Sequence, residues 1–166
     1  MRLYIVRHGI AAPHGMAGMS EDERPLTKEG IHKLRVSASG LRSLGCAPEV
    51  ILTSPLSRAR QTAEILADAL DAGTSLEICA PLAPSGRRER VYEEIRRRGQ
   101  YRSLMLVGHQ PSLGEIAAEI AWGTPQNFIE IKKGGACALE LEITREIPGG
   151  TLLWLLTPSI LNSIRR

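Results

Sequence analysis

The sequence contains few cysteines and few aromatic residues, and it has no long apolar run. Its three cysteines, Cys46, Cys79 and Cys137, are odd in number and widely spaced, which argues against a disulfide framework or a metal site. Aromatic residues make up only 4% of the chain, so the core must be mainly aliphatic. No stretch is long enough to span a membrane, and residues 1–9 lack the apolar segment of a secretory signal. We therefore predict a cytoplasmic protein with reduced, buried thiols and no membrane partner.

The length and net charge of the chain are typical of one globular domain. A chain of 166 residues predicts a single domain over residues 1–166. The net charge of +3 is too small to require a nucleic-acid partner, although it is compatible with an acidic one. Arginine is concentrated in residues 86–102, GRRERVYEEIRRRGQYR, which we interpret as a solvated helix face. RNA binding there is disfavoured because Tyr92 and Tyr101 are its only aromatic residues.

Strand and helix patterns alternate along the chain. Short apolar or alternating runs typical of strands lie at residues 3–6, 49–55, 76–81, 103–109, 135–143 and 151–158. Helical spacing of apolar residues predicts helices at residues 27–44, 56–70, 86–98 and 111–123. Residues 103–109, SLMLVGH, are so continuously apolar that both faces of that strand should be covered. The order predicts a three-layer α/β/α sandwich with a mostly parallel central sheet.

Polar residues follow three of the predicted strands. Arg7 and His8 end the first strand, residues 54–60 follow the second, and residues 108–110 follow the fourth. Because loops after successive parallel strands open on the same edge of a sheet, these side chains should meet. Two imidazoles and at least two guanidiniums would then converge without an acidic residue beside them. Such a cluster needs an anion, and phosphate fits that need.

The residue types at this edge favour phosphoryl transfer without a metal ion. An arginine fork can donate two hydrogen bonds to phosphate, and an unprotonated imidazole nitrogen can attack phosphorus while cations stabilise the equatorial oxygens. A metal site would need carboxylates or thiolates beside the histidines. His8, next to Gly9, is the better nucleophile candidate, although the residues alone allow His8 and His109 to exchange roles. They also leave Arg58 and Arg60 as equal candidates for the second guanidinium.

Several motifs together resemble one known family. The segments RHG, SPLSRARQTA and VGHQPSL, each after a predicted strand, resemble the histidine phosphatase superfamily, which has the phosphoglycerate mutase-like fold. The lack of a cap domain and the segments RPLTKEG, LAPSG and LLWLLTP resemble its small SixA-type phosphohistidine phosphatases. The resemblance extends over nearly the whole chain.

The resemblance implies specific roles and partners. It makes His8 the nucleophile, places Arg7, Arg58 and His109 around the phosphate, and leaves Arg60 to solvent or an ion pair. It implies no cofactor and no metal. The implied substrate is a phosphorylated protein, namely a histidine phosphotransfer domain, and a small phosphate ester is the alternative.

The acidic residues missing from the motifs bear on the substrate. Many superfamily members have an acidic residue directly after RHG, where this chain has Ile10, and residues 80–90 contain no acid before Glu89. A phosphate ester depends on a general acid worth about 10² to 10⁴ in rate, whereas a leaving imidazole can take its proton from solvent. This favours phosphohistidine over a phosphomonoester, unless Glu21, Asp22 or Glu23 supplies the proton. A non-catalytic phosphoprotein-binding module is a further alternative.

Overall fold

The computed structural model describes residues 1–15, 18–70, 75–125, 129–144 and 146–164. Its strands are β1 (Arg2–Arg7), β2 (Val50–Thr53), β3 (Ser75–Ile78), β4 (Ser103–Gly108), β5 (Ala136–Glu142) and β6 (Gly149–Leu156). Its helices are α1 (Lys28–Ser43), α2 (Ser57–Ala69), α3 (Arg88–Arg97), α4 (Ser112–Trp122) and α5 (Pro158–Ile164), with a short 3₁₀ helix at Ala80–Leu82. The six strands form one sheet in the order β3-β2-β4-β1-β5-β6.

The sheet is parallel from β3 to β1 and antiparallel at the other edge. Strand β4 pairs in parallel with β1 and β2, whereas β5 is antiparallel to both β1 and β6. All residues of β4 are buried, as its continuously apolar sequence predicted. The prediction of a mostly parallel central sheet is confirmed.

Two apolar cores lie on opposite faces of the sheet. Leu3 and Ile5 of β1 pack with residues of α3 and α4, whereas Tyr4 and Val6 pack with residues of α1, α2 and α5. This division follows from the two-residue period of a strand, which turns successive side chains to opposite faces. The three layers of the predicted sandwich are therefore present.

Local sequence signals explain where the first helix begins and ends. Thr27 is the N-cap of α1, and its Oγ1 accepts a hydrogen bond of 2.9 Å from the Gly30 N–H. Gly45, with a φ of +75°, follows the helix in the left-handed region that glycine tolerates best. Gly30 also lets the helix approach the chain after β1, because a Cβ there would lie 2.1 Å from the Ile10 carbonyl oxygen.

Helix α5 was not predicted from the sequence. It is only seven residues long, and its buried Leu161 packs into the core shared with α1 and α2. The arginine-rich segment forms α3 as expected, and it is a face of ion pairs such as Arg90–Glu93 and Arg97–Glu94. The three cysteines are buried and unpaired with one another. Within the described ranges, no helix has the length and apolarity needed to cross a membrane.

Candidate active site

A cleft of about 850 Å³ lies at the carboxyl ends of β1, β2 and β4. It brings together the four residues singled out in the sequence, Arg7, His8, Arg58 and His109. They meet because β1 and β2 both flank β4, so that the chain leaves all three strands at one edge. Arg58 is buried on α2, whereas Arg60, two residues along the same helix, is exposed. Burial therefore separates two arginines that spacing alone could not.

His8 is held as a neutral ring with one defined tautomer. Its Nδ1 lies 2.7 Å from the Gly9 carbonyl oxygen, which can only accept a hydrogen bond, so Nδ1 must be the protonated nitrogen. Burial, and then the positive charges of Arg58 and Arg7, lower the pKa of His8 to about 4 despite that hydrogen bond. At neutral pH the ring is therefore uncharged, and its Nε2 has a free lone pair.

Thr62 fixes the backbone next to His8. The Gly9 N–H donates to Thr62 Oγ1 over 3.1 Å, and that hydroxyl donates to the Arg58 carbonyl oxygen over 2.7 Å. The sequence analysis did not single out Thr62, which lies on the same buried stripe of α2 as Ala59, Ala63 and Leu66. A hydroxyl in an otherwise apolar stripe was the available signal, since a buried hydroxyl needs hydrogen-bond partners.

His109 lies beside His8, with their ring centroids 5.0 Å apart. Its Nε2 is 2.8 Å from Ser54 Oγ, which links the ends of β4 and β2. Burial is the main cause that lowers the pKa of His109 to about 3, followed by repulsion from His8, which is itself protonated at so low a pH, and from Arg58. This ring is therefore also uncharged at neutral pH. A bound dianion would favour the protonated form.

The guanidiniums of Arg7 and Arg58 each hydrogen-bond to a backbone carbonyl but keep a buried N–H without a partner among the described residues. Arg7 Nη1 donates to the Ile131 carbonyl oxygen over 3.0 Å, and Arg58 Nη1 donates to the Glu21 carbonyl oxygen over 2.8 Å. Among the described residues, the buried side-chain nitrogens and oxygens without a hydrogen-bond partner are the Nε atoms of Arg7, Arg24 and Arg58. All three arginines line this cleft. Such a cluster is typical of a site that an anion completes.

One sequence-based expectation about this cleft is wrong, because an acidic residue does lie beside the cations. Glu21 Oε1 is 2.5 Å from Arg24 Nη2 and 3.3 Å from Arg58 Nη2. The polar loop between β1 and α1 folds back over the cleft, where the Ser57 N–H donates to the Asp22 carbonyl oxygen. Local patterns could not reveal this contact, since it joins residues far apart in sequence. The sequence analysis considered Glu21, Asp22 and Glu23 only as possible proton donors, not as partners of the cations.

Comparison with known proteins identifies the family. The family model described as histidine phosphatase superfamily (branch 1) matches residues 3–83. Phosphohistidine phosphatase SixA of Escherichia coli K12 is 31% identical over 161 residues, which cover 95% of this chain and 94% of that protein. The chain belongs to the histidine phosphatase superfamily.

Two further proteins are similar to this chain in sequence or in fold. An uncharacterized protein of Picosynechococcus sp., SYNPCC7002_A2622, is 44% identical over 142 residues, which cover 84% of each chain. A structure of the protein histidine phosphatase SixA complexed with tungstate superposes with a TM-score of 0.85 at 29% identity, covering 97% of this chain and 99% of that one. The three-layer fold is thus that of SixA.

The acidic residues considered for proton donation in this histidine phosphatase differ in position. Glu21 and Asp22 line the cleft, but Glu23 does not belong to its described lining and accepts hydrogen bonds from Ser20 instead. Ile10 is also outside that lining and instead borders a smaller cavity beside Gly30 and Lys33. The argument from Ile10 to the substrate therefore has no direct geometric basis.

The histidine-containing surroundings do not form a ligand shell of the usual metal-binding type. Across the described parts of the chain, no group of three or more His, Cys, Asp or Glu side chains could hold a metal ion. His14, which belongs to none of the motifs, lies at the rim with its Nδ1 2.9 Å from Glu21 Oε2.

Proposed function

We propose that this protein is a phosphatase that forms a phosphohistidine intermediate on His8 and removes phosphate from phosphohistidine on a signalling protein. One observation supports it above all. A neutral histidine, with Nδ1–H fixed by the Gly9 carbonyl and Nε2 free, lies in a cleft lined by Arg7, Arg58 and His109. Nucleophile and phosphate-binding groups are thus ready before the substrate arrives.

In the first step, His8 Nε2 attacks phosphorus. A new Nε2–P bond forms while the P–N bond to the substrate imidazole breaks, and its electron pair goes to the leaving nitrogen. Arg7 and Arg58 bind the equatorial oxygens, and His109 supports them once the dianion has raised its pKa. In the second step, water attacks phosphorus, the electron pair of the Nε2–P bond returns to His8, and a water proton passes to solvent or phosphate.

The leaving group suits a site without a prominent acid. A phosphohistidine ring can accept a proton from solvent at its remote nitrogen and leave as a neutral base. Glu21, one of the two acids in the described lining, is held as a carboxylate because hydrogen bonding to Arg24 lowers its pKa. A carboxylate paired in this way is a poor proton donor.

The relatives support the same chemistry and partner. E. coli SixA is named a phosphohistidine phosphatase, and a SixA structure holds tungstate, a tetrahedral oxyanion like phosphate. The proposed partner is therefore a phosphorylated protein such as a histidine phosphotransfer domain. A side-chain phosphohistidine projecting from such a domain could enter the cleft from its open side.

Trapping the intermediate tests the proposal. Rapid acid-free quenching with a ³²P-labelled phosphohistidine protein should give a labelled enzyme that loses its phosphate in acid. His8→Asn should give no labelled enzyme and no turnover, whereas Arg60→Gln, a matched surface control, should behave as wild type. Normal turnover by His8→Asn would overturn the assignment.

A small-molecule phosphomonoesterase is the second candidate, and Asp22 favours it. Asp22 lines the cleft, and its carboxylate makes no hydrogen bond or ion pair with any described residue, so it could serve as a general acid. If esters are the substrates, Asp22→Asn should slow alkyl phosphates about 10²-fold and activated aryl phosphates little. If phosphohistidine is the substrate, wild type should turn it over far faster than any ester, and Asp22→Asn should retain that activity.

A further inference from the structure

Arg24 is a buried cation that the proposed mechanism does not use. It lies in the loop between β1 and α1, and only 7% of its surface is exposed. Nη1 donates to the Ala12 carbonyl oxygen and Nη2 to Glu21 Oε1, both over 2.5 Å, while its buried Nε has no hydrogen-bond partner among the described residues. A buried guanidinium needs a negative partner, and Glu21, whose side chain is 48% exposed, is the one in contact. Arg24 is thus neutralised by a carboxylate that solvent can reach.

The same carboxylate oxygen also contacts a phosphate-binding residue. Glu21 Oε1 lies 3.3 Å from Arg58 Nη2, so a single oxygen touches both guanidiniums. The two arginines are therefore close enough to hold one small anion together. A phosphoryl group has three terminal oxygens and more negative charge than a carboxylate, and it makes stronger bonds to paired arginines.

We propose that Arg24 is a third phosphoryl-binding guanidinium, and that the substrate's phosphoryl group displaces the Glu21 carboxylate from Arg24 and Arg58. This inference rests on the proposed phosphatase function. Until the substrate binds, Glu21 takes the place of its anion and keeps the two arginines in position. Binding then exchanges a weak internal anion for a stronger one.

The exchange requires only a side-chain movement. Arg58 Nη1 holds the Glu21 carbonyl oxygen over 2.8 Å, and the Ser57 N–H holds the Asp22 carbonyl oxygen over 2.9 Å, so the loop backbone is tied to the start of α2. The Glu21 side chain is half exposed and already contacts His14 at the rim. It can therefore turn outward while Arg24 stays buried in the cleft.

Electrostatics places Arg24 within the same site. After burial, the charge of Arg24 is the largest cause that lowers the pKa of Arg58, and it also contributes to the low pKa of His109. Arg24 in turn keeps the pKa of Glu21 below its usual range. Glu21 is consequently an anion that competes for the arginines at neutral pH.

Binding of inorganic tungstate, measured by titration calorimetry, tests the proposal without a catalytic step. Glu21→Gln should bind tungstate about three- to fivefold tighter, because the competing charge is gone. Arg24→Gln should bind it at least about tenfold more weakly, because a charged hydrogen-bond donor is lost. The exposed control Arg60→Gln should match wild type.

Two outcomes would overturn the inference, and a third would have a different meaning. If Glu21→Gln binds tungstate no more tightly than wild type, Glu21 is not the displaced anion. Because the Glu21 side chain is half exposed, this variant should fold, and its result decides the question even if Arg24→Gln does not fold. If folded Arg24→Gln binds as wild type while Arg58→Gln does not, Arg24 is outside the site. If wild type itself binds no oxyanion, the proposed phosphatase function fails instead.

Discussion

Acidification should destabilise the protein through His8 and His109, two buried histidines of the cleft. Burial lowers the pKa of His8 to about 4 and that of His109 to about 3, whereas an unfolded histidine titrates near 6.5. Between those pH values the unfolded chain binds protons that the native state does not bind. Stability is therefore full above about pH 6.5 and is lost as the pH falls from there towards 4 for His8 and towards 3 for His109.

The expected loss follows from these values. At pH 5, each histidine that stays neutral in the native state costs about 2 kcal/mol relative to pH 7.5, so His8 and His109 together cost about 4 kcal/mol. Because both native pKa values lie below 5, the result depends mainly on the unfolded value. Such a loss is a large part of the 5–15 kcal/mol that usually stabilises a protein.

Urea denaturation at pH 7.5 and pH 5, followed by circular dichroism in phosphate-free buffer, measures this effect. The matched control is the double variant His8→Asn/His109→Asn, which keeps every carboxylate and both exposed histidines. The double variant should lose about 4 kcal/mol less than wild type between the two pH values. An equal loss in the two proteins would refute the reasoning that these rings are neutral because they are buried.

Three further predictions concern single residues. Arg58→Gln should lower kcat/KM about 10²-fold or more in steady-state assays, whereas Arg60→Gln should change it less than about twofold; equal losses would contradict the buried pocket. Thr62→Val should lower the free energy of unfolding, measured by urea denaturation, by about 1–3 kcal/mol, because it leaves the buried Gly9 N–H unpaired. Thr62→Ser keeps the hydroxyl and should restore that stability. Gly30→Ala should lower the free energy of unfolding by at least about 2 kcal/mol, since its Cβ would lie 2.1 Å from the Ile10 carbonyl oxygen. A Cβ at the control position Gly149 meets nothing within 4 Å, so similar losses in Gly30→Ala and Gly149→Ala would refute the close approach.

The order of strands and helices could be predicted from the sequence because it depends on local periodicity. The continuous apolar run at residues 103–109 required cover on both faces, and β4 has it. Thr27 and Gly45 marked the two ends of α1 because capping is a property of a few neighbouring residues. Helix α5 escaped this reasoning, since seven residues give too short a pattern and the packing of Leu161 decides their conformation.

Part of the site could also be predicted. Arg7, His8 and His109 directly follow strands, and the topology of a parallel sheet brings such residues to one edge. The choice of Arg58 over Arg60 needed either the family resemblance or the observed burial, because both lie near the start of the same helix.

Only the tertiary structure decided how these residues are charged and paired. The neutral state of His8 depends on burial and its tautomer on the Gly9 carbonyl, and neither is visible in a motif. The contact of Glu21 with Arg24 and Arg58 arises because a polar loop folds back onto the start of α2. Electrostatic energies depend on distance and on exclusion of water, which the order of residues alone does not specify.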